Sequence, residues 1–164
     1  MAKFLLGIAI IAFTTFIGYV LAKKYRKRKV FFQQLSLFNE RFLNEISYYR
    51  RPLQAFFSQY TYKEEFSALL EQFVLCLNEH RPLAEYLFPA SVFDFLKKEE
   101  KSVLTDYFQM LGKGDSSSQK TYFSSVKNTL ITMEKEAENV CKKYGDLYVK
   151  IGFLCGLLIL ILIL

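Results

Sequence analysis

The sequence lacks the residue sets that build most catalytic centres. Its one histidine, His80, stands beside Arg81 and Pro82 in a predicted turn, and its three cysteines are too widely spaced for a metal site or a disulfide framework. No nucleophile elbow, HExxH motif or aspartate-rich metal loop occurs. Lys113 lies between two glycines, but Tyr107 stands where a phosphate-binding loop needs its first glycine. We therefore predict no catalytic residue, metal ligand, cofactor or small-molecule substrate, and a chain that is not an enzyme.

Strand signals are absent as well. No segment alternates apolar and polar residues over the length of a strand, and no Asn-Gly hairpin turn occurs. Apolar residues instead recur every three or four positions, which is the helical period. Thr61 with Glu64, and Ser116 with Gln119, are predicted to cap two of the helices. The sequence thus predicts an all-α fold whose one flexible loop is residues 112–118.

Charge is missing from one long run at each end of the chain. Residues 4–22 form a 19-residue uncharged run, which as a helix is ~28 Å long, close to the ~30 Å hydrocarbon core of a bilayer. Residues 151–164 are also uncharged, and residues 147–149 lengthen this run if Lys150 snorkels to the interface. No A-x-A-like site closes the first run, so we expect an uncleaved anchor. We predict transmembrane helices at residues 1–22 and 151–164.

Acidic residues are absent from positions 1–29, which hold seven Lys/Arg, whereas residues 30–150 are nearly balanced with 15 basic and 16 acidic residues. Six basic residues directly follow the first apolar run: Lys23, Lys24, Arg26, Lys27, Arg28 and Lys29. That position is typical of a membrane edge rather than of a nucleic-acid-binding face. Basic residues also precede the second apolar run, so the positive-inside rule predicts a helical bundle at residues 23–150 in the cytoplasm.

Small side chains mark one face of each apolar run. Thr14, Gly18 and Ala22 recur every four residues, and Gly152 with Gly156 forms a GxxxG pattern. Such faces let helices approach closely in lipid, so they could pair with each other or with helices of a partner, a second copy included. The alternative is that glycine is simply common in membrane helices. We also expect the helix after the first run and the helix before the second to pack antiparallel, because both carry coiled-coil-like stripes.

Two short segments are candidates for binding a partner. Tyr48, Arg50 and Arg51 are not easily assigned to a core, and tyrosine and arginine are enriched at protein interfaces. A solvated corner is the alternative interpretation of this segment. Lys113 and Asp115, in the glycine-rich loop, are the second candidate.

Four stretches of the chain, in order and together with its two apolar ends, resemble a known family. They are Thr15, Gly18 and Ala22–Arg28; Glu45, Ile46, Tyr48 and Pro52–Ala55; Leu111–Lys113, Asp115, Ser118 and Gln119; and Gly152–Leu154 with Gly156–Leu158. With these residues the whole chain resembles the stage III sporulation protein AB family of endospore-forming bacteria. Its soluble domain would then be similar to the cytoplasmic domain of type II secretion and type IV pilus platform proteins.

The resemblance implies a platform or scaffold subunit of the secretion-like complex between mother cell and forespore, needed for endospore formation and placed in the mother-cell membrane around the forespore. The expected partners are the stage III sporulation AA ATPase, on the cytoplasmic side, and other proteins of the same set. The alternative is a pore-forming or ion-conducting membrane subunit. The residues count against it, because the membrane runs hold no Asp, Glu, Lys, Arg or His and only Thr14 and Thr15 as aliphatic hydroxyls.

Overall fold

Helices make up nearly all of the described chain, which covers residues 2–49 and 52–163 of this computed structural model. The α-helices are α1 (Ala2–Asn44), α2 (Leu53–Gln59), α3 (Glu64–Asn78), α4 (Leu83–Tyr86), α5 (Lys98–Met110), α6 (Ser116–Val140) and α7 (Asp146–Ile163). A π-helical turn at Glu45–Tyr49 extends α1, and another at Cys141–Gly145 joins α6 to α7. No strand occurs in the described ranges, which confirms the predicted all-α fold.

The chain divides into two compact units, and each is described by itself. The two-helix unit consists of the described residues up to Lys29 and from Lys135 on, and the bundle unit is Val30–Glu134. Apolar helices near both ends of the chain therefore flank a helical region, as predicted.

Two continuous helical segments, Gly7–Tyr49 and Ser116–Leu162, are long and apolar enough to cross a membrane. Only 17% and 11% of their most apolar stretches is buried, whereas a core helix of a soluble protein would be mostly buried. Large apolar side chains stand exposed along both, among them Phe13, Phe16 and Leu154. An exposed apolar surface of this extent suits lipid better than water.

The predicted antiparallel packing of α1 against α6 is confirmed within each unit. In the two-helix unit, Nη2 of Arg28 lies 3.3 Å from Oε1 of Glu136. In the bundle unit, Nδ2 of Asn39 donates a hydrogen bond of 3.3 Å to the carbonyl oxygen of Phe123. Residue numbers fall along α6 as they rise along α1, so the two helices run in opposite directions.

Aromatic side chains fill the core of the bundle unit around Phe38. The predicted apolar stripe of α1 is buried at each of its positions: Phe31, Leu35, Phe38 and Phe42, with Ile46 after them. The ring centroid of Phe38 lies 5.5 Å from those of Phe56 and Phe66, and both pairs meet edge-on. This geometry adds quadrupole attraction to the burial of apolar area. The helical period of the sequence therefore identified the core-facing side of α1 correctly.

The predicted capping box at Thr61 and Glu64 is wrong. Helix α3 begins at Glu64, so Lys63 is its N-cap residue, and no side chain caps it there. The backbone N–H of Lys63 instead donates a hydrogen bond of 3.2 Å to Oε1 of Gln34 on α1. A side chain of α1 thus accepts the hydrogen bond of a backbone N–H at the start of α3, where the sequence had predicted a cap from within the same segment.

Candidate functional site

Glycine brings the two apolar helices into backbone contact within the two-helix unit. A Cβ atom added at Gly18 would clash with the backbone oxygen of Tyr148, and one added at Gly152 would lie 2.5 Å from the backbone oxygen of Thr14. A Cβ atom at Gly156 would lie 2.5 Å from Oγ1 of Thr14. These separations are too short for any side chain, so the close approach of α1 and α7 depends on glycine at all three positions. The two small faces named from the sequence meet each other here.

These contacts also fix the register of α1 against α7. Gly18 lies opposite Tyr148 and Thr14 lies opposite Gly152. Lys150, midway between Tyr148 and Gly152, is therefore level with Phe16. Phe16 precedes the end of the first apolar run by six residues, which corresponds to ~9 Å along a helix. Lys150 thus lies deeper along the apolar pair than the basic residues of α1 do.

Three tyrosines stack just beyond this crossing. The ring of Tyr25 on α1 lies 5.7 Å from that of Tyr144 and 5.8 Å from that of Tyr148. A hydrogen bond with Tyr148, together with burial, raises the pKa of Tyr25. Tyrosine rings with polar tips are typical of the membrane–water interface. The small side chain of Ala22 is fully buried next to this level.

The six basic residues after the first apolar run separate into an exposed and a packed group. Lys23, Lys24 and Arg26 are exposed, and within the described residues no carboxylate lies within 4.0 Å of their charged nitrogens. Lys27 and Lys29 are half-buried. The exposed three are therefore free to meet solvent, lipid or another protein.

Arg28 belongs to the packed group and has a structural contact. Its side chain is only 5% exposed and pairs with the half-exposed carboxylate of Glu136. Two residues further along the chain lies Glu138, whose Oε1 accepts a hydrogen bond of 3.0 Å from Nζ of Lys142. That bond, helped by the charge of Lys29, lowers the pKa of Glu138. Carboxylates on the second segment of this unit thus pair with Arg28 and Lys142.

Of the first partner-binding candidate, the structure describes only Tyr48. This residue lies in the first π-helical turn with 79% of its side chain exposed. Arg50 and Arg51 lie outside the described residues. Exposure of Tyr48 agrees both with a binding surface and with a solvated corner.

Asp115, from the second candidate, turns out to be the N-cap residue of α6. Its Oδ1 accepts a hydrogen bond of 3.2 Å from the backbone N–H of Ser118, and these hydrogen bonds lower the pKa of the carboxyl. The predicted cap at Ser116 is thus wrong by one residue, because the carboxylate of Asp115 reaches the free N–H groups first. Gln119 does not cap Ser116 but donates from Nε2 to the carbonyl oxygen of Lys113 at 3.0 Å.

Chain neighbours of Tyr48, Lys113 and Asp115 line one cavity at an end of the bundle unit, although none of these three residues lines it. This end cavity measures about 310 Å³ and lies between the first π-helical turn and the glycine-rich loop. Its lining comprises Phe42, Glu45, Ile46, Leu53, Phe56, Gly112, Gly114, Ser116 and Gln119. Sequence analysis named the two segments separately but could not place them together. It also missed Glu45, a buried carboxylate in the wall, which no local motif indicates.

No group of three His, Cys, Asp or Glu side chains in the described ranges is arranged to hold a metal ion. His80 lies in the turn after α3, where the sequence placed it, and is exposed to solvent.

The comparison with known protein families decides the identity. The model of stage III sporulation protein AB matches residues 3–164, which is nearly the whole chain. The chain belongs to this family. It is also 29% identical over 170 residues to the stage III sporulation protein AB of Bacillus subtilis strain 168, covering 99% of each chain. No solved structure matches.

Membership of the stage III sporulation protein AB family confirms the resemblance seen in the sequence and implies a role in sporulation. It also suggests association with other sporulation proteins. Two of the four stretches that carried the resemblance contain the glycines of the helix crossing. The other two contain parts of the end cavity, so the family likeness covers both features.

Proposed function

We propose that this protein is a non-enzymatic platform subunit of the sporulation channel complex between mother cell and forespore. The observation that carries the proposal is the direct backbone contact of α1 and α7 at Gly18, Gly152 and Gly156. Two apolar helices packed this tightly form a self-contained anchor. Such an anchor suits a protein that holds a folded domain at a membrane rather than one that opens a path through it.

The proposed location is the mother-cell membrane around the forespore, with residues 23–150 in the cytoplasm. Exposed, unpaired Lys23, Lys24 and Arg26 at the end of the first apolar run support this orientation, because such residues stay on the cytoplasmic side. A cysteine at the exposed position Ser117, in a chain without its native cysteines, tests it. In vegetative cells made to express the chain, whose plasma membrane faces the medium, we expect a membrane-impermeant maleimide to label Ser117→Cys only after the cells are permeabilised. Labelling of intact protoplasts would exclude this topology.

The proposed cytoplasmic partner is the stage III sporulation AA ATPase, docking at the end cavity. Tyr48 follows the lining residue Ile46 by two positions, and Lys113 lies between the lining residues Gly112 and Gly114. Both side chains are exposed, and tyrosine and basic residues are favoured at protein interfaces. Asp115 is also exposed, but because its carboxylate caps α6, a substitution there would combine any loss of binding with a loss of stability.

Co-purification from sporulating cells tests the docking surface. We expect Tyr48→Ala combined with Lys113→Glu to reduce recovery of the ATPase and the yield of spores, with the protein still present in the membrane. Lys98→Glu is the matched control, since Lys98 is an exposed lysine at the start of α5, and α5 contributes no residue to the cavity lining. Wild-type recovery with the double variant would show that this end is not the docking surface.

The threonines of the first apolar run support a platform over a pore. Oγ1 of Thr14 donates to the backbone oxygen of Ile10 at 3.0 Å, and Oγ1 of Thr15 donates to that of Ile11 at 2.7 Å. Hydroxyls bonded within their own helix present no polar path to an ion. We expect the purified protein in planar bilayers to show no conductance above that of protein-free bilayers, and discrete channel openings would favour the pore instead.

A further inference from the structure

We propose that a groove beside Lys150 binds one anionic phospholipid, with the lipid phosphate at the Lys150 ammonium and an acyl chain along the groove. The proposal deepens the proposed function, since it requires α1 and α7 to lie in a membrane. The proposal rests on the position of Lys150. This lysine lies deeper along the helix pair than the basic residues of α1, and it stands at the cytoplasmic end of an apolar groove.

The position of Lys150 favours an anionic partner. Lys150 is level with Phe16, about six residues inside the end of the first apolar run, and its side chain is exposed on the outer surface of the pair. No carboxylate in the described ranges lies within 4.0 Å of its ammonium. A charged side chain at this depth is costly unless it reaches a counter-charge or the interface.

The groove beside Lys150 has the polarity of a phospholipid. It measures about 460 Å³ and is lined by Thr15, Val149, Lys150, Phe153 and Leu154. The hydroxyl of Thr15 is bonded to its own helix, so the wall beyond the ammonium is apolar. In the proposed orientation Lys150 is at the cytoplasmic end, and Phe153 and Leu154 lie deeper. The groove therefore has a positive charge for a lipid headgroup at its cytoplasmic end and an apolar wall for an acyl chain below it.

A second cation is directed toward the groove from above. Thr15, Tyr19 and Arg26 share one face of α1, since they are separated by whole turns of the helix. The guanidinium carbon of Arg26 lies 5.3 Å from the centre of the Tyr19 ring, so this side chain extends back along α1 toward Thr15. Arg26 has no carboxylate within 4.0 Å among the described residues. Arg26 from above and Lys150 from below bracket the level at which a lipid phosphate would sit.

A carboxylate on the membrane helix of another protein could also neutralise Lys150. Two features favour lipid. The wall below the ammonium is apolar and suits an acyl chain. Arg26 also extends along α1 toward the level of Lys150, and a phosphate can accept hydrogen bonds from more than one cation. The protein partner is one of the outcomes that the test separates.

Native mass spectrometry of the full chain in mild detergent tests the proposal, with phosphatidylglycerol and phosphatidylcholine of equal chain length as probes. We expect one tightly bound phosphatidylglycerol and a preference over phosphatidylcholine that falls about fivefold in Lys150→Leu, the effect typical of one basic residue at a membrane surface. Lys150→Arg should keep the preference. Lys143→Ala is the matched control, because Lys143 is an exposed lysine on the same flank that stacks on Tyr144 outside the groove.

Each further result either supports or overturns the site. Glycerol phosphate, which has the charge but no acyl chain, should not displace the bound lipid, and displacement by it would overturn the groove. Equal binding of the two lipids, an unchanged preference in Lys150→Leu, or an equal loss in Lys143→Ala would also overturn it. The site would also be overturned if Lys150→Leu lost a membrane protein that co-purifies with the wild type but kept its bound lipid. If the lipid site fails while the chain remains carbonate-resistant in membranes and still recovers the ATPase, the proposed function stands without it.

Discussion

The hydroxyl of Tyr107 donates a hydrogen bond of 3.0 Å to Oδ1 of Asn39 inside the bundle unit. Both side chains are buried, and Nδ2 of Asn39 donates in turn to the carbonyl oxygen of Phe123. This chain of bonds links α5, α1 and α6 through the aromatic core of the bundle unit. Burial raises the pKa of Tyr107 well above its ordinary value, so the hydroxyl remains a donor at any physiological pH.

Removal of this hydroxyl tests the buried link. We expect Tyr107→Phe to lower the free energy of unfolding by about 1–2 kcal/mol, because Oδ1 of Asn39 would remain buried without its donor. Denaturant unfolding of the full chain in detergent, followed by circular dichroism, measures the change. Tyr86→Phe removes a hydroxyl from a side chain that is 41% exposed and should leave the stability within about 0.5 kcal/mol. Equal stabilities of the two variants would show that the bond contributes nothing.

Substitution of Gly152 tests the crossing of α1 and α7. We expect Gly152→Leu to lower the thermal midpoint, with a loss of about 1–3 kcal/mol from overpacking, because the new side chain meets the backbone of Thr14. Spin labels at the exposed positions Phe13 and Leu154, in a chain without native cysteines, should report a longer and broader distance.

The control for that experiment is Gly145→Ala. A Cβ atom at Gly145 would lie 3.6 Å from Sγ of Cys141, which is an ordinary contact, and alanine is the better helix former. We expect no loss of stability and an unchanged distance between the labels. If Gly152→Leu behaves like this control, the helices do not depend on glycine for their contact.

Sequence analysis predicted the features that arise from local periodicity. The stripe from Phe31 to Phe42 is buried because a helix with that spacing has only one apolar side to bury. The bond between Asn39 and Tyr107 joins residues far apart in the chain, and neither residue carries a local signal of it. Long-range polar pairs depend on how helices are placed, which periodicity does not determine.

The candidate site was predictable to the same limited extent. The small faces at Gly18 and Gly152 are visible in the sequence, but whether they meet each other depends on a register that only the packed helices define. The cap of α6 was misplaced because aspartate and serine both suit an N-cap. The positive φ of Gly114 and the reach of the Asp115 carboxylate decided between Asp115 and Ser116.

Acid should weaken the start of α6 through Asp115. Hydrogen bonds from Ser118 lower the pKa of this carboxyl below its ordinary value of 3.8. Because the folded pKa lies below the unfolded one, the stabilisation is fully present above pH ~4 and is lost as the pH falls through the folded pKa. Thermal midpoints of the wild type and of Asp115→Asn, measured from neutral to acid pH, should converge as the pH falls.

The two variants of Asp115 separate its charge from its capping role. Asparagine still accepts the Ser118 N–H, so Asp115→Asn should remain folded and lose only the pH-dependent part. Asp115→Ala should lower the midpoint at every pH, since it removes the cap itself. A constant difference between wild type and Asp115→Asn across the whole pH range would show that the charge has no part in stability.

Arg26 and Arg28 form a matched pair, two residues apart, that tests the division of the basic segment. Arg28 is buried and contacts Glu136, so Arg28→Gln should lower the free energy of unfolding by about 1–2 kcal/mol, whereas Arg26→Gln should change it by less than about 0.5 kcal/mol. Glu136 is half exposed, so a double-mutant cycle of Arg28→Gln with Glu136→Gln should give a coupling below about 1 kcal/mol. Most of the stability lost in Arg28→Gln would then come from the lost packing of the aliphatic part of the arginine side chain. Equal losses at positions 26 and 28 would mean that the segment acts only as a run of charge.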